Sequence, residues 1–206
     1  LERIVQKALE KDRSRRYQTM AEILEDLKAV RTSGAPTLQP EKSIIVLPFE
    51  NISADPEQDY FCDGMTEELI SDLSKIGSLR VISRTSSMMF KGTKKDIPAI
   101  AREVHVQYVL EGSVRKAGNN LRITAQLIDA VGDTHLWAEK YGGTLDDVFD
   151  IQEKVSRSIV DAMKLKLTPD EAGRLAERPI PSPLAYEFYL KARGEILKWT
   201  EAGLEN

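Results

Sequence analysis

The sequence predicts an α/β (α+β) domain: a mixed sheet of about five strands with packed helices. Three observations carry this. Ile44-Ile45-Val46-Leu47 is a short continuous apolar run, as expected of a strand covered on both faces. Phe61, Met65, Leu69, Leu73 and Ile76 recur every three or four residues, the period of an amphipathic helix. Between Val106 and Tyr141 apolar residues alternate along runs separated by turn chemistry, the pattern of an antiparallel meander.

The domain so defined spans 43–167, and each element has a local cause. Gly77 ends the first helix, since glycine tolerates a left-handed cap. Leu79-Arg80-Val81-Ile82 reads as a second strand, and Asp96 caps a helix whose Pro98 is tolerated in the first turn. Val106, Tyr108, Leu110, Gly112 and Val114 share one strand face; Leu121, Ile123, Ala125 and Leu127 share the next; Trp137 and Tyr141 share a third. Ala117-Gly118-Asn119-Asn120 and Val131-Gly132-Asp133 supply the turns. Val148, Ile151, Val155, Ile159 and Met163 stripe the closing helix, with Asp146, Asp147 and Asp150 where the helix dipole favours negative charge.

The flanks read differently. Residues 1–30 carry two short amphipathic helices, striped by Leu1, Ile4, Val5, Ala8 and Leu9 and by Met20, Ile23, Leu24, Leu27 and Val30; Thr19 and Glu22 form a capping box. A helix pair of this size buries no core by itself, so the rest of its domain is expected upstream. Residues 31–42, with Gly34, Pro36 and Pro40, read as a linker. Residues 168–206 read as helices: Thr168-Pro169-Asp170-Glu171 opens one, Ser182-Pro183 a second with Ala185, Phe188, Tyr189 and Ala192 on its buried side, and a further one is expected near Thr200. These suggest the start of a helical repeat array.

Composition narrows the function. The net charge of -4 and pI near 5.4 argue against a nucleic-acid partner. The single cysteine, Cys62, excludes an internal disulfide and reads as a core residue. No apolar run of membrane-spanning length occurs and no signal peptide is visible, so a cytoplasmic location with no membrane segment is expected.

The search for chemistry returns no catalytic, cofactor-binding or metal residues. No phosphate-cradling glycine loop and no spaced His or Cys pair occurs, and His105 and His135 are the only histidines. Adjacent acids such as Glu67-Glu68 point about 100° apart on a helix and do not converge. One edge could bind something. Open α/β sheets hold ligands beyond the carboxyl ends of their strands. There Asn51 and Asp55 follow the first strand, and Ser83, Arg84 and Thr85 follow the second. The edge could take a small anionic ligand or a peptide; equally, it could be a hydrogen-bonded lock with Arg84 paired to Asp55 or Asp63.

Two resemblances sharpen these readings. Ile4-Val5-x-Lys7-Ala8-Leu9-Glu10-Lys11-Asp12, Arg15-Arg16-Tyr17-Gln18-Thr19-Met20 and Glu22-Ile23-Leu24 resemble the end of a bacterial eukaryotic-type Ser/Thr protein kinase domain, with a departure at Arg13, where that family usually has Pro. The resemblance implies that Arg16 forms a buried ion pair with the Glu of an upstream A-P-E motif. It also implies that ATP and Mg serve the parent protein, since the catalytic elements are absent from this chain. Residues 43–167 resemble the TolB amino-terminal-like (FlgO-related) domain. The likeness runs through Ile45-Val46-Leu47-Pro48-Phe49, Tyr60-Phe61-x-Asp63-Gly64, Leu79-x-Val81-Ile82-Ser83-Arg84-Thr85-Ser86, Tyr108-Val109-Leu110-Glu111-Gly112-Ser113-Val114 and Thr134-His135-Leu136-Trp137-Ala138-Glu139. That resemblance implies a non-catalytic α/β fold that binds protein partners and commonly lies between an output domain and tetratricopeptide repeats.

The expected function is a regulatory, protein-interaction segment of a Ser/Thr kinase signalling protein, with Thr32, Ser33 and Thr37 as candidate phosphorylation sites. The alternative is a small-ligand sensor domain of a different signalling protein, a nucleotide cyclase or a winged-helix regulator.

Overall fold

A computed structural model describes residues 4, 7–12, 14, 16–33, 42–177, 180 and 182–204, with side chains described outside 27–33 and 197–204. It divides into two compact units, Leu1–Pro40 and Glu41–Asn206.

In the first unit, helix α1 (Met20–Ser33) starts where the capping box places it. Thr19 Oγ1 accepts from the Glu22 amide at 3.3 Å, while Glu22 reaches back to the Gln18 amide at 3.2 Å. The expected first helix falls largely outside the described residues. Leu9, Met20 and Leu24 of the two apolar stripes are exposed. Of the linker expected at 31–42, residues 34–41 lie outside the described residues and Lys42 is the first residue of a strand. Arg31, Thr32 and Ser33 continue α1, because no helix breaker precedes Gly34. Of the candidate phosphorylation sites, Thr32 and Ser33 are therefore helical, and Thr37 lies outside the described residues.

The second unit is a mixed α/β fold. Its strands are β1 (Lys42–Val46), β2 (Glu50–Asn51), β3 (Leu79–Val81), β4 (Tyr108–Ala117), β5 (Asn120–Asp129) and β6 (Thr134–Thr144). They form a six-stranded sheet in the order β3-β1-β4-β5-β6, with β2 pairing β4. β1 runs parallel to β3 and β4, and β4-β5-β6 is the antiparallel meander. The sixth strand, β2, pairs parallel with β4 at Ser113 and Val114 and is too short for periodicity to reveal.

Helices α2 (Asp59–Ser74), α3 (Arg84–Met88), α4 (Ile97–Val104), α5 (Val148–Ala162), α6 (Pro169–Leu175) and α7 (Pro183–Leu204) complete the unit. β1 is buried on both faces, as its apolar run requires. Ile44 and Val46 join the larger core with α2 and α5, while Ile45 and Leu47 join a smaller one with Ile100 and Ala101 of α4. Asp96 caps α4 by accepting from the Ala99 amide at 2.7 Å, and Thr168 and Glu171 form the expected box on α6. Glu171 also accepts from the Gly77 amide at 2.8 Å, so the α6 cap doubles as a clasp on the end of α2.

Two expectations change. The segment after β3, for which no helix was expected, is α3: Ser83 accepts from the Ser86 amide and caps it, so Arg84 and Thr85 occupy its first turn. No new helix starts near Thr200; α7 is continuous to Leu204, since nothing between Ala185 and Leu204 breaks it.

Gly112 sits where a Cβ would collide with the Phe49 ring and the Thr124 carbonyl. We therefore expect Gly112→Ala to cost about 1–3 kcal/mol of stability. The check is a lower urea midpoint at unchanged slope.

Candidate functional site

Beyond the carboxyl end of β1, side-chain hydroxyls already bond the backbone. Ser87 is fully buried on α3, and its hydroxyl donates to the carbonyl of Val46, the last residue of β1. On the other side the Phe49 amide donates to Thr66 Oγ1 at 3.0 Å, and that hydroxyl donates to the Cys62 carbonyl at 2.8 Å. These hydroxyls consume the backbone groups that a ligand at a strand end would use.

The five edge residues separate into two places along α2. Asn51 Nδ2 donates to Asp59 Oδ1 at 2.8 Å and to the Asp55 carbonyl at 3.1 Å, and its Oδ1 accepts from the Ser53 amide. Asp55 caps the following 3-10 turn by accepting from Glu57 N and Gln58 Nε2, and these bonds hold its carboxyl below the usual range. This is a locked loop. Arg84 instead lies 2.9 Å from Glu67, its Nε–H not aligned for a hydrogen bond. Its partner is thus neither Asp55 nor Asp63: Asp63 holds Lys91 at 2.7 Å. Asp59 and Glu67 are two helical turns apart, about 12 Å. Ser83 and Thr85 are exposed on α3. The structure therefore does not gather Asn51, Asp55, Ser83, Arg84 and Thr85 into one cleft.

What converges instead is the contact between α2 and α7, built on two carboxylates. Glu67 binds Arg84 from α3 and Arg193 from α7. Glu187 of α7 accepts from Lys116 of β4 and Lys191, both at 3.1 Å, and from the Tyr60 hydroxyl at 3.0 Å. Burial pushes the Glu187 carboxyl up, but these three donors hold it below the ordinary glutamate value; burial, and after it the contact with Glu187, raises Tyr60. Lys116 and Glu187 are 9% and 13% exposed, so this pair is largely withdrawn from water. Close helix approach completes the contact. A Cβ on Gly64 would collide with Leu190, and one on Gly194 would press on Tyr60. Tyr186 is buried edge-on against Phe149 at 5.1 Å and accepts from Gln152 Nε2 at 2.9 Å.

Beside this contact lies a cavity of about 340 Å³ lined by Glu67, Glu68, Asp72, Gln152, Tyr186 and Arg193, among others. Burial, then Asp72 and Glu67, raises the Glu68 carboxyl; burial raises Asp72 despite Lys75 at 2.8 Å. A wider groove of about 1080 Å³ runs along Asp59, Asp63 and Glu67, whose charge Lys91, Arg84 and Arg193 offset. Neither presents an activated nucleophile. Cys62 is 1% exposed and burial pushes its thiol up to about 12. Among the described residues no group of three or more His, Cys, Asp or Glu could hold a metal ion. No described helix is long and apolar enough to cross a membrane. In the first unit, Arg16 donates to the carbonyls of Glu10 and Lys11.

Residues 40–160, from β1 through most of α5, match the family model of the HilA/YgeH-like transcriptional regulator, second domain. The chain belongs to this family. A protein of Rhizobium meliloti (strain 1021) named "Putative adenylate cyclase 3" is 49% identical over 164 residues, 80% of this chain and 28% of that protein. TolB from Acinetobacter baumannii is similar at 18% identity and a TM-score of 0.44, over 59% of this chain and 28% of TolB. The LpoB C-terminal domain from Salmonella enterica is similar at 22% identity and a TM-score of 0.42, over 57% of this chain and 91% of that one. The chain thus spans just over a quarter of the length of the cyclase-named relative and of TolB.

In this HilA/YgeH-like chain, α7 lies outside the family-matched residues yet is fastened to them. Sequence reasoning missed how. It placed Ala185, Phe188, Tyr189 and Ala192 on the buried side, whereas Tyr186 and Leu190 are buried and Ala185, Phe188 and Ala192 are exposed, with Tyr189 at 42%. The period was right and the phase was not, because α7 is apolar on two sides. The usable signal was Gly194, eight residues after Tyr186 on the same face, which marks where another helix comes close.

Two outcomes follow from the buried charges. Glu187→Ala strands Lys116 and should cost about 3 kcal/mol, whereas replacing Lys116 and Glu187 together by Met and Leu should recover most of it; denaturant titration of the three proteins decides. Glu68→Gln should stabilise the fold at neutral pH. Its wild-type carboxyl is raised, so the folded state gains stability as pH falls through that value, and the variant's advantage vanishes below the unfolded-state pKa. Urea midpoints at neutral and acid pH should show the gap close.

Proposed function

We propose that residues 42–177 form a non-catalytic protein-interaction domain that regulates an output domain joined to it in a larger signalling protein. The observation that carries this reading is the company the domain keeps. It belongs to a family described as the second domain of a transcriptional regulator, and a 49%-identical relative is named an adenylate cyclase. A domain shared by different outputs is best explained by a task common to both. Plugged strand ends and a buried, unreactive thiol fit a role in contact rather than catalysis.

In this reading the parent acts in the cytoplasm on protein partners, and α7 opens a helical repeat that extends the contact surface. The output is a Ser/Thr protein kinase using ATP and Mg. Support for that lies in residues 1–30, whose motif resembles a kinase tail, and in the exposed Leu9, Met20 and Leu24, an apolar side suited to covering by more of such a domain. The second reading, a nucleotide cyclase output, is favoured by the named relative.

The test uses the full-length parent with and without residues 42–177, assayed for protein phosphorylation and for cyclic nucleotide formation. A changed rate in one assay on deletion supports the regulatory reading and selects the output; unchanged rates in both would end it. If the kinase reading holds, mass spectrometry after incubation with ATP should find phosphate on Thr32, Ser33 or Thr37, and unmodified peptides there would remove those sites.

A further inference from the structure

The helices of the second unit leave part of the sheet bare. α2 and α5 cover one face, and α4 covers the start of β4 on the other. Beyond α4, that second face carries the rows Glu111–Gln126–Ala138, Glu50–Ser113–Thr124–Lys140 and Arg115–Arg122–Gly142. Arg115 and Arg122 are directly opposite one another, and both are exposed, with exposed Lys140 one diagonal step away. None of the three has an ion-pair partner among the described residues. Two acids share this face: Glu50, diagonal to Arg115, makes no ion pair with it, and Glu111 accepts from Gln126. Like charges directly opposite on a sheet are destabilising, so in a chain of net charge -4 this pair works against its own fold.

Gly142 is the second observation. Its φ is not in the left-handed region, and a Cβ there would meet nothing within 4 Å. Neither backbone nor packing requires glycine, and glycine weakens a strand. Neighbouring Gly143 differs, because a Cβ there would press on Asp147. Gly142 thus leaves the edge side of exposed Arg122, its cross-strand neighbour, without a side chain. That edge is β6, eleven residues long, and among the described residues it has a ladder partner on one side only.

We infer that this face and the β6 edge form a docking site for an acidic, extended segment of a protein partner. The segment adds to β6 as a strand. Its alternate carboxylates fall on the face of Lys140 and Arg122, because side chains alternate with period two. One carboxylate passes over Gly142 to reach Arg122, and by pairing with it relieves the repulsion between Arg122 and Arg115. The inference deepens the interaction reading above, yet it is tested on binding alone. Its failure would remove this surface and leave the deletion experiment untouched.

The experiment titrates the 206-residue chain against a fluorescent peptide of alternating Val and Glu, read by anisotropy. Its Lys-for-Glu counterpart and a single-stranded DNA oligonucleotide are run in parallel. Expected are binding of the Glu peptide that weakens with salt, no binding of the Lys peptide, and a loss of about tenfold or more for Arg122→Ala. Gly142→Val should lose binding to a similar degree while its melting temperature holds or rises, which separates blocked docking from damage to the fold. Absence of Glu-peptide binding, equal binding of the Lys peptide, an unaffected Arg122→Ala or Gly142→Val, or tighter binding of the DNA would each overturn the inference.

Discussion

The close approach of Phe49 to β4 at Gly112 sets the geometry from which much else follows. Only a residue without a side chain lets the ring come this near the strand, and the Thr66 hydroxyl meets the Phe49 amide. Together these fix where the chain leaves β1, and so where β2 can pair with β4 and where the Asn51–Asp55 loop begins. The same contact seats the first turns of α2 against the sheet. α2 in turn carries Asp59, Asp63 and Glu67, on which Asn51, Lys91, Arg84 and Arg193 converge.

Much of the fold was legible because it rests on burial. A strand with Ile44, Ile45, Val46 and Leu47 in succession has to be covered twice, and two hydrophobic clusters do that. The meander was legible because its register follows from alternation. Short elements were not. β2 is two residues of backbone pairing, and α3 depends on one serine cap, a signal easily taken for loop chemistry. The phase of α7 was illegible for a different reason. A helix with apolar residues on opposite sides has two self-consistent inner faces, and only contact with Gly64 and Tyr60 chooses between them.

The site was less legible than the fold. Asn51, Asp55 and Arg84 are polar residues near strand ends, which made them candidates, but polarity does not say whom each one meets. Asn51 turns to its own loop and Arg84 to α2. The carboxylates that organise the contact with α7, Glu67 and Glu187, are separated by more than a hundred residues, and no spacing rule links them. Its family membership, carried by residues 40–160, is not something the polar residues at the strand ends reveal.

The lone buried thiol has a practical consequence. Cys62, on the buried side of α2, is sealed in the larger core, and it is the one cysteine in the chain. A maleimide or disulfide reagent can reach it only in molecules whose core has opened. The rate of labelling is therefore a native clock for that opening, available without engineering a probe, and any partner that tightens the domain would slow it.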